Sequence, residues 1–355
     1  MIGIGLIGYG HWGPNHVRVF NQLRESRVEI VVDLDATRLE AVRQQFPGID
    51  TSTSYDDVLG HPDVEAVVIA TPVSTHHSLV KAALRAGKDV LVEKPMTYTA
   101  AESQELLEIA DDEHRVLMCG HVFLFNAGIR KVRQYIEDGT LGRIYYMTAT
   151  RTNLGPVRRD VNALYDLGSH DVSIFRYLLG RQPTEVVAWG ESFLQHEVED
   201  VTFACIEFPD RVLCHMHVSW LNPRKERTLV VVGDKKMVVW DDTSPLEPLR
   251  LYDKGLMQEP YYDSFGQFQL VLRDADVLIP KINAEEPLKL QAQHFLNCVA
   301  RREPPLADGQ FAHDVVLTLE ALQRSLHRGG SRQPVIPTQE LPAHPRSRRP
   351  CFLPS

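Results

Sequence analysis

From Met1 to about Gly120, short apolar runs alternate with amphipathic stretches. The runs are IGIGLIG, EIVVDLD, AVVIATP, DVLVEKP and RVLMCGH; between them lie HVRVFNQLRE, ATRLEAVRQQF, SLVKAALRAG and AAESQELLEIADDE. Apolar runs of this length, bounded by turn residues, read as strands buried on both faces, and the 3.6-residue periodicity between them reads as helix. Repeated strand, helix, strand requires crossover connections, so residues 1–120 are predicted to form a doubly wound α/β domain with a parallel sheet, a Rossmann-type layer.

After His121 the pattern changes. Two helical stretches, NAGIRKVRQYIEDG and DLGSHDVSIFRYLLG, precede EVVAWGESFL, VTFACIEFP, VLCHMHVSWL and RTLVVVGDKKMVVW, which follow one another without intervening helices. Alternation over successive strands predicts an open, mostly antiparallel sheet in an α+β domain over 121–330. Residues 253–289 read as an irregular insertion, followed by the helices LQAQHFLNCVARR and AHDVVLTLEALQRSLH. From Ser331 to Ser355 the chain is rich in Pro and Arg and lacks periodicity, which predicts a mobile tail. No internal repeat is present.

Composition narrows the function classes. With 43% hydrophobic and 24% charged residues the chain is an ordinary globular protein, and a net charge of -9 argues against a nucleic-acid or anionic-membrane partner. The five cysteines are scattered and form no CxxC pair, as expected of reduced thiols in the cytoplasm. No apolar run is long enough to span a bilayer, and the start has no basic leader.

The first strand runs into GYGHWG, where Gly8, Gly10 and Gly13 fit GxGxxG with His11 and Trp12 inside the loop. The glycines permit a tight turn, close approach to a pyrophosphate and close helix packing, and the backbone N–H of Trp12 is placed to meet phosphate. The second run ends in Asp33, 33 − 13 = 20 residues past Gly13, followed by Leu34. An acid at that point accepts the ribose hydroxyls and repels a 2′-phosphate, so NAD is expected in preference to NADP; Arg38 lies too far along to serve as a 2′-phosphate ligand. Two more strand ends complete the crevice: Thr71, Pro72 and His76 in ATPVSTHH, and Glu93, Lys94 and Pro95 in VEKP. His76 either touches the nicotinamide side or caps a helix. Pro95 fixes the turn after Lys94, with a cis peptide as one way of aiming the lysine. His16 reads as a helix-surface residue.

In DLGSHDVSIF, helical spacing puts Asp166, His170, Ser173 and Tyr177 on one stripe. Two proton-handling groups then point the same way, although an N-cap at Asp166 and a surface His170 satisfy the same pattern.

GYGHWGPNH, ATPVSTH, VEKP and DLGSHD, in this order and spacing over residues 1 to about 330, resemble the Gfo/Idh/MocA oxidoreductases. The resemblance implies that Lys94, Asp166 and His170 converge on the nicotinamide ring as catalytic residues, and His16 falls at a position that recurs in the family's first helix. It also implies that the open sheet packs against another subunit in a homodimer or homotetramer. Oxidising a secondary alcohol needs a base for the hydroxyl proton, and a histidine with an ordinary midpoint suits neutral pH, with Lys94 stabilising developing negative charge and Asp166 orienting His170 or the substrate. No metal is expected; His215 and His217 share a strand face without a third ligand and read as surface or interface residues.

Arg151, Arg158 and Arg159 precede the DLGSHD helix, and Arg224, Lys225 and Arg227 follow a strand. Two basic loops in an acidic chain suggest an anionic substrate, because guanidinium matches phosphate. Asn153, Arg158, Arg159, Tyr165 and Arg224 are the candidate substrate contacts, with the arginines reading equally as solvated loop charges and Asn153 and Tyr165 equally as loop-packing residues. A branch of the family with TNLGP and SWLNP-like segments is similar to enzymes oxidising the 3-hydroxyl of UDP-N-acetylhexosamines or their uronates. An inositol or aminocyclitol dehydrogenase, a 3-ketosugar reductase and a non-catalytic dinucleotide-binding regulator remain alternatives.

Overall fold

The computed structural model describes residues 1–258, 270–283 and 285–336. Its first layer consists of β1 (Ile2–Ile7), α1 (Gly13–Gln22), β2 (Ser26–Val32), α2 (Ala36–Gln45), β3 (Asp50–Ser52), α3 (Asp56–Leu59), β4 (Ala66–Ile69), α4 (His76–Arg85), β5 (Asp89–Val92), α5 (Ala100–Asp112) and β6 (Leu117–Cys119). The strands are parallel and ordered β3-β2-β1-β4-β5-β6. Every residue of β4 and β5 is buried, as expected of a sheet covered by helices on both faces. Strand order reverses between β1 and β4, and a crevice opens at their carboxyl ends, where ligands collect in such sheets.

The second layer comprises α6 (Ala127–Glu137), β7 (Ile144–Leu154), α7 (Ser169–Leu179), β8 (Glu185–Glu191), β9 (Val201–Phe208), β10 (Val212–Ser219), β11 (Leu221–Gly233), β12 (Met237–Asp241), β13 (Leu249–Gln258), β14 (Leu270–Leu278), α8 (Pro287–Arg301), α9 (Gly309–His327) and β15 (Gln333–Pro334). Nine strands form one open sheet in the order β14-β13-β12-β11-β7-β10-β9-β8-β15. All of its pairs are antiparallel except β7 with β10. Helix α7 packs on β7 and α9 on β8. The other face exposes Tyr146, Phe203, Leu213 and Trp189, each at least 44% accessible. Helices α8 and α9 also pack on α1 and α5, so they join the two layers.

Two sequence expectations need correction. The segment 253–289 is not irregular throughout: β13 extends to Gln258 and β14 covers Leu270–Leu278, while 259–269 lie outside the described residues. The start of the expected tail is docked as β15 on β8, with Arg324 donating to the carbonyls of Pro334 and Ile336. Residues 337–355, including Cys351, lie outside the described residues.

Candidate functional site

A cleft of about 1010 Å³ runs from Asp33, past the glycine loop and Lys94, to Asp166 and His170. Gly8 has φ +97°, and a Cβ there would lie 2.7 Å from the Ala70 carbonyl oxygen; a Cβ on Gly13 would lie 2.4 Å from the Gly8 oxygen. Gly10 faces the open cleft, its nearest neighbour being the Arg38 guanidinium at 3.7 Å from a built Cβ. His11 and Trp12 line the same wall, and no side chain caps the first turn of α1, whose N–H groups can meet an anion.

Asp33 is buried and held rigidly: Tyr9 N donates to Oδ2 at 2.6 Å and Asp35 N to Oδ1 at 2.9 Å. Leu34 beside it is 90% exposed on the cleft wall. The reading of Arg38 as too distant is overturned. The first turn of α2 brings its guanidinium into the cleft, 3.3 Å from Asp33 Oδ2 and 3.4 Å from Asp35.

Thr71 and Pro72 line the cleft, but His76 does not. It is fully buried behind the wall, Nδ1 2.9 Å from the Pro95 carbonyl and Nε2 2.9 Å from that of Thr71, tying the β4 and β5 loops together. His16 is buried too, not on a helix surface: its Nε2 lies 2.8 Å from Glu93 Oε1. Burial would raise the Glu93 carboxyl, but His16 and Lys94 outweigh it and hold it below the usual range.

The Lys94–Pro95 peptide is cis, and Pro95 is buried. Lys94 Nζ crosses the cleft to donate to the Asp166 carbonyl at 2.7 Å and to Oδ1 at 3.3 Å. Asp166 is not on a regular α-helical stripe with His170 and is not a side-chain cap. It sits in a π-turn, Leu164–Gly168, that precedes α7. This turn presents both its carbonyl and its carboxylate to Lys94, while Arg158 Nη1 (3.3 Å) and Trp220 Nε1 (3.2 Å) donate to the carboxylate. Burial raises the Asp166 carboxyl, and Lys94, Arg158 and Trp220 overcome this to leave it below the usual range.

His170 also reaches the cleft, yet no hydrogen bond joins it to Asp166 among the described residues. Its Nδ1 is buried without a partner among the described residues. Burial, then Lys94, Arg151, His121 and Arg227, push its midpoint well below the ordinary histidine value, so the expectation of a midpoint near neutrality is replaced by a ring that stays uncharged.

The expected substrate contacts divide. Arg158 is on the cleft wall, bound through Nε and Nη2 to Asp160 as well as to Asp166. Arg159 is exposed, and Arg224 is exposed on a bulge where the β7–β11 register skips from Leu221 to Glu226. Asn153 donates to the Gly155 carbonyl, and Tyr165, 7% exposed, donates to that of Tyr98; neither lines the cleft. Arg151 is no loop cation: it is buried on β7 and paired with Asp171. His215 and His217 are half-buried, the latter stacked on Phe203. Among the described residues no three His, Cys, Asp or Glu side chains are grouped to hold a metal, and no helix is long and apolar enough to cross a membrane. Trp220, Phe123 and His121 were missed as neighbours of the site; only the alternation of VLCHMHVSW hinted at an inward-facing Trp220.

A glycine cradle and ribose-end acid at one end of a cleft, with lysine, carboxylate and imidazole at the other, define a dinucleotide-binding oxidoreductase. The chain belongs to the Gfo/Idh/MocA oxidoreductase family. Residues 2–121 match its NAD-binding Rossmann fold and residues 129–239 the GFO/IDH/MocA C-terminal domain. It is similar to UDP-N-acetylglucosamine 3-dehydrogenase of Acidithiobacillus ferrooxidans, 26% identical over 86% of this chain and 91% of that protein. The structure of that enzyme superposes with a TM-score of 0.78 over 92% of this chain and 99% of the other, at 25% identity. GenD2 from gentamicin A biosynthesis, solved in complex with NAD, gives a TM-score of 0.79 at 25% identity over 94% and 96% of the two chains. Inositol 2-dehydrogenase of Rhizobium meliloti is 29% identical, over 56% of this chain and 61% of that protein.

Proposed function

We propose that the protein moves a hydride between NAD and the carbon bearing the 3-hydroxyl of a UDP-N-acetylhexosamine or its uronate. The observation that carries this reading is the meeting of Lys94, Asp166 and His170 at the end of the cleft opposite Asp33. The glycine loop and the α1 N-terminus would hold the pyrophosphate and Asp33 the ribose. Fixed by two backbone N–H groups, that carboxylate opposes a 2′-phosphate, and Arg38 is engaged by Asp33 and Asp35. When bound, the nicotinamide supplies the hydride acceptor or donor.

His170, uncharged, accepts the hydroxyl proton in the oxidising direction and returns it in the reducing one. Lys94 donates a hydrogen bond to the reacting oxygen, and Asp166 holds Lys94 in place. Arg159 and Lys225, exposed and without an ion pair among the described residues, stand after β7 and within β11, two paired strands, and would suit a diphosphate. Relatedness to UDP-N-acetylglucosamine 3-dehydrogenase across both layers supports the same class.

A cyclitol substrate is the second reading, favoured by the neutralisation of Arg151 and Arg158 by Asp171, Asp160 and Asp166, which leaves fewer free cations than the sequence suggested. The exposed sheet face with Tyr146, Phe203, Leu213 and Trp189 would pack on a second copy in a homodimer or homotetramer. The free thiols of Cys119, Cys205, Cys214 and Cys298 suit the cytoplasm.

The test is NAD and NADP reduction with UDP-N-acetylglucosamine, its uronate, myo-inositol and scyllo-inositol. Turnover with a UDP-sugar supports the reading; turnover only with a cyclitol reassigns the substrate. Dinucleotide binding without turnover on any of them favours a regulator.

A further inference from the structure

We propose that the buried Arg151–Asp171 pair is a positioning device for His170, acting through Phe123. A carboxylate behind a catalytic histidine commonly fixes its tautomer and orientation. That arrangement is missing here, because Asp166 is turned to Lys94, Arg158 and Trp220, and His170 Nδ1 has no partner among the described residues.

Packing holds the ring instead. Phe123 meets it edge-on, centroids 4.9 Å apart at 77°, and Trp240 meets Phe123 at 6.0 Å. The Arg151 guanidinium lies over the Phe123 ring, 4.4 Å from its centroid. Arg151 is in turn locked to the residue after His170: Nε and Nη2 both donate to Asp171 Oδ1, at 3.1 and 2.8 Å. Both side chains are nearly inaccessible, at 4% and 3%. The helix bearing His170, the strand bearing Arg151 and the ring between them are thus joined by one chain of contacts.

Burial does most to keep the imidazole uncharged, and the groups around it add to that, Lys94 first and then Arg151. Lys94 faces it from the end of β5, His121 from the end of β6, Arg151 from β7 and Arg227 from β11. On its own helix and the turn before it the carboxylates are Asp171, bound to Arg151 through Oδ1 while its buried Oδ2 has no partner among the described residues, and Asp166, bound to Lys94 and Arg158. Among the described residues neither carboxylate hydrogen-bonds the imidazole, so no ion pair holds an imidazolium. The ring thus remains available to take a proton from a substrate hydroxyl.

The consequence for turnover rests on the reading of His170 as proton acceptor; the arrangement itself can be tested without substrate. The test is the titration of the His170 imidazole by NMR in the full-length protein, with and without NAD. In Arg151→Met/Asp171→Asn, which leaves no buried charge unpaired, the midpoint should rise by about one unit or more. Arg151→Lys should keep it low. Phe123→Leu should leave the charges in place and broaden the ring signals. An unchanged midpoint in a folded double variant, or equal rises in it and in Arg151→Lys, overturns the proposal. If the double variant fails to fold, a low midpoint in Arg151→Gln overturns it. Absence of turnover on every sugar, with these shifts intact, would sink the functional reading alone.

Discussion

The two walls of the cleft are built by different means. On the dinucleotide wall, Gly8, Gly13 and Asp33 act through or against backbone: a carbonyl 2.7 Å from a missing Cβ, another at 2.4 Å, and two N–H groups on one carboxylate. On the opposite side, Lys94, Asp166, Arg151, Asp171 and Trp220 act mainly through side chains from the segment after β5, the π-turn, β7, α7 and the junction of β10 and β11. The glycines and Asp33 of the backbone cradle recur at fixed spacing within one strand-helix-strand unit, closed by the Ala70 carbonyl at the end of β4. A side-chain cluster is specified only once distant segments have met, as Lys94 and Asp166 do across 72 residues.

The largest effect that sharpens this contrast is on the side-chain wall. His170→Ala and Lys94→Ala should each lower kcat by roughly 10²-fold or more while NADH binding, followed by fluorescence titration, stays near that of the parent. Parallel losses of binding and turnover would erase the division between the walls. On the dinucleotide wall, Asp33→Ala removes the acid and frees Arg38, so the ratio of kcat/KM for NAD over NADP should fall by about 100-fold. An unaltered ratio would mean that Asp33 does not choose the cofactor.

Protons distinguish the walls as well. Burial, reinforced by Lys94, pushes His121 down to about 3, so it is uncharged in the fold and protonates in the unfolded chain below about 6.5. Its folded midpoint is depressed, so its stabilising contribution is present above the unfolded value and is lost as pH falls from about 6.5 towards about 3. At pH 5 that loss is about 2 kcal/mol, and His76 and His170, also lowered, act in the same direction. Urea denaturation at pH 7 and pH 5 should therefore show a clear drop in stability, smaller by about 2 kcal/mol in His121→Met. A pH-independent difference between the two proteins would contradict a neutral buried His121.

The smallest effect is at the exposed cations. Arg159→Ala or Lys225→Ala should raise KM for a UDP-sugar by roughly 10-fold with little change in kcat, and leave KM for a cyclitol unaltered. Equal changes for both substrates would remove the argument for a diphosphate subsite.

Legibility in the sequence followed the same division. GxGxxG, Asp33 and the strand ends at Thr71 and Lys94 could be read because their roles depend on local spacing. Arg38 was misread because distance along the chain hid the return of the first turn of α2 over Asp33. In IYYMTATRTNL the inward positions include Arg151, and a charged residue at a core position disguises a buried strand, so β7 and its cation were taken for a loop. The π-turn was invisible because 3.6-residue spacing continues through DLGSHDVSIF; only the geometry reveals that Asp166 serves Lys94 rather than His170. His16 escaped because its partner, Glu93, is 77 residues away.

The most direct test is to follow NADH binding and UDP-N-acetylglucosamine oxidation in one preparation each of the parent protein and His170→Ala. The account predicts equal NADH affinity, with turnover in the parent and at most about one-hundredth of it in the variant. Equal turnover in both would contradict the account.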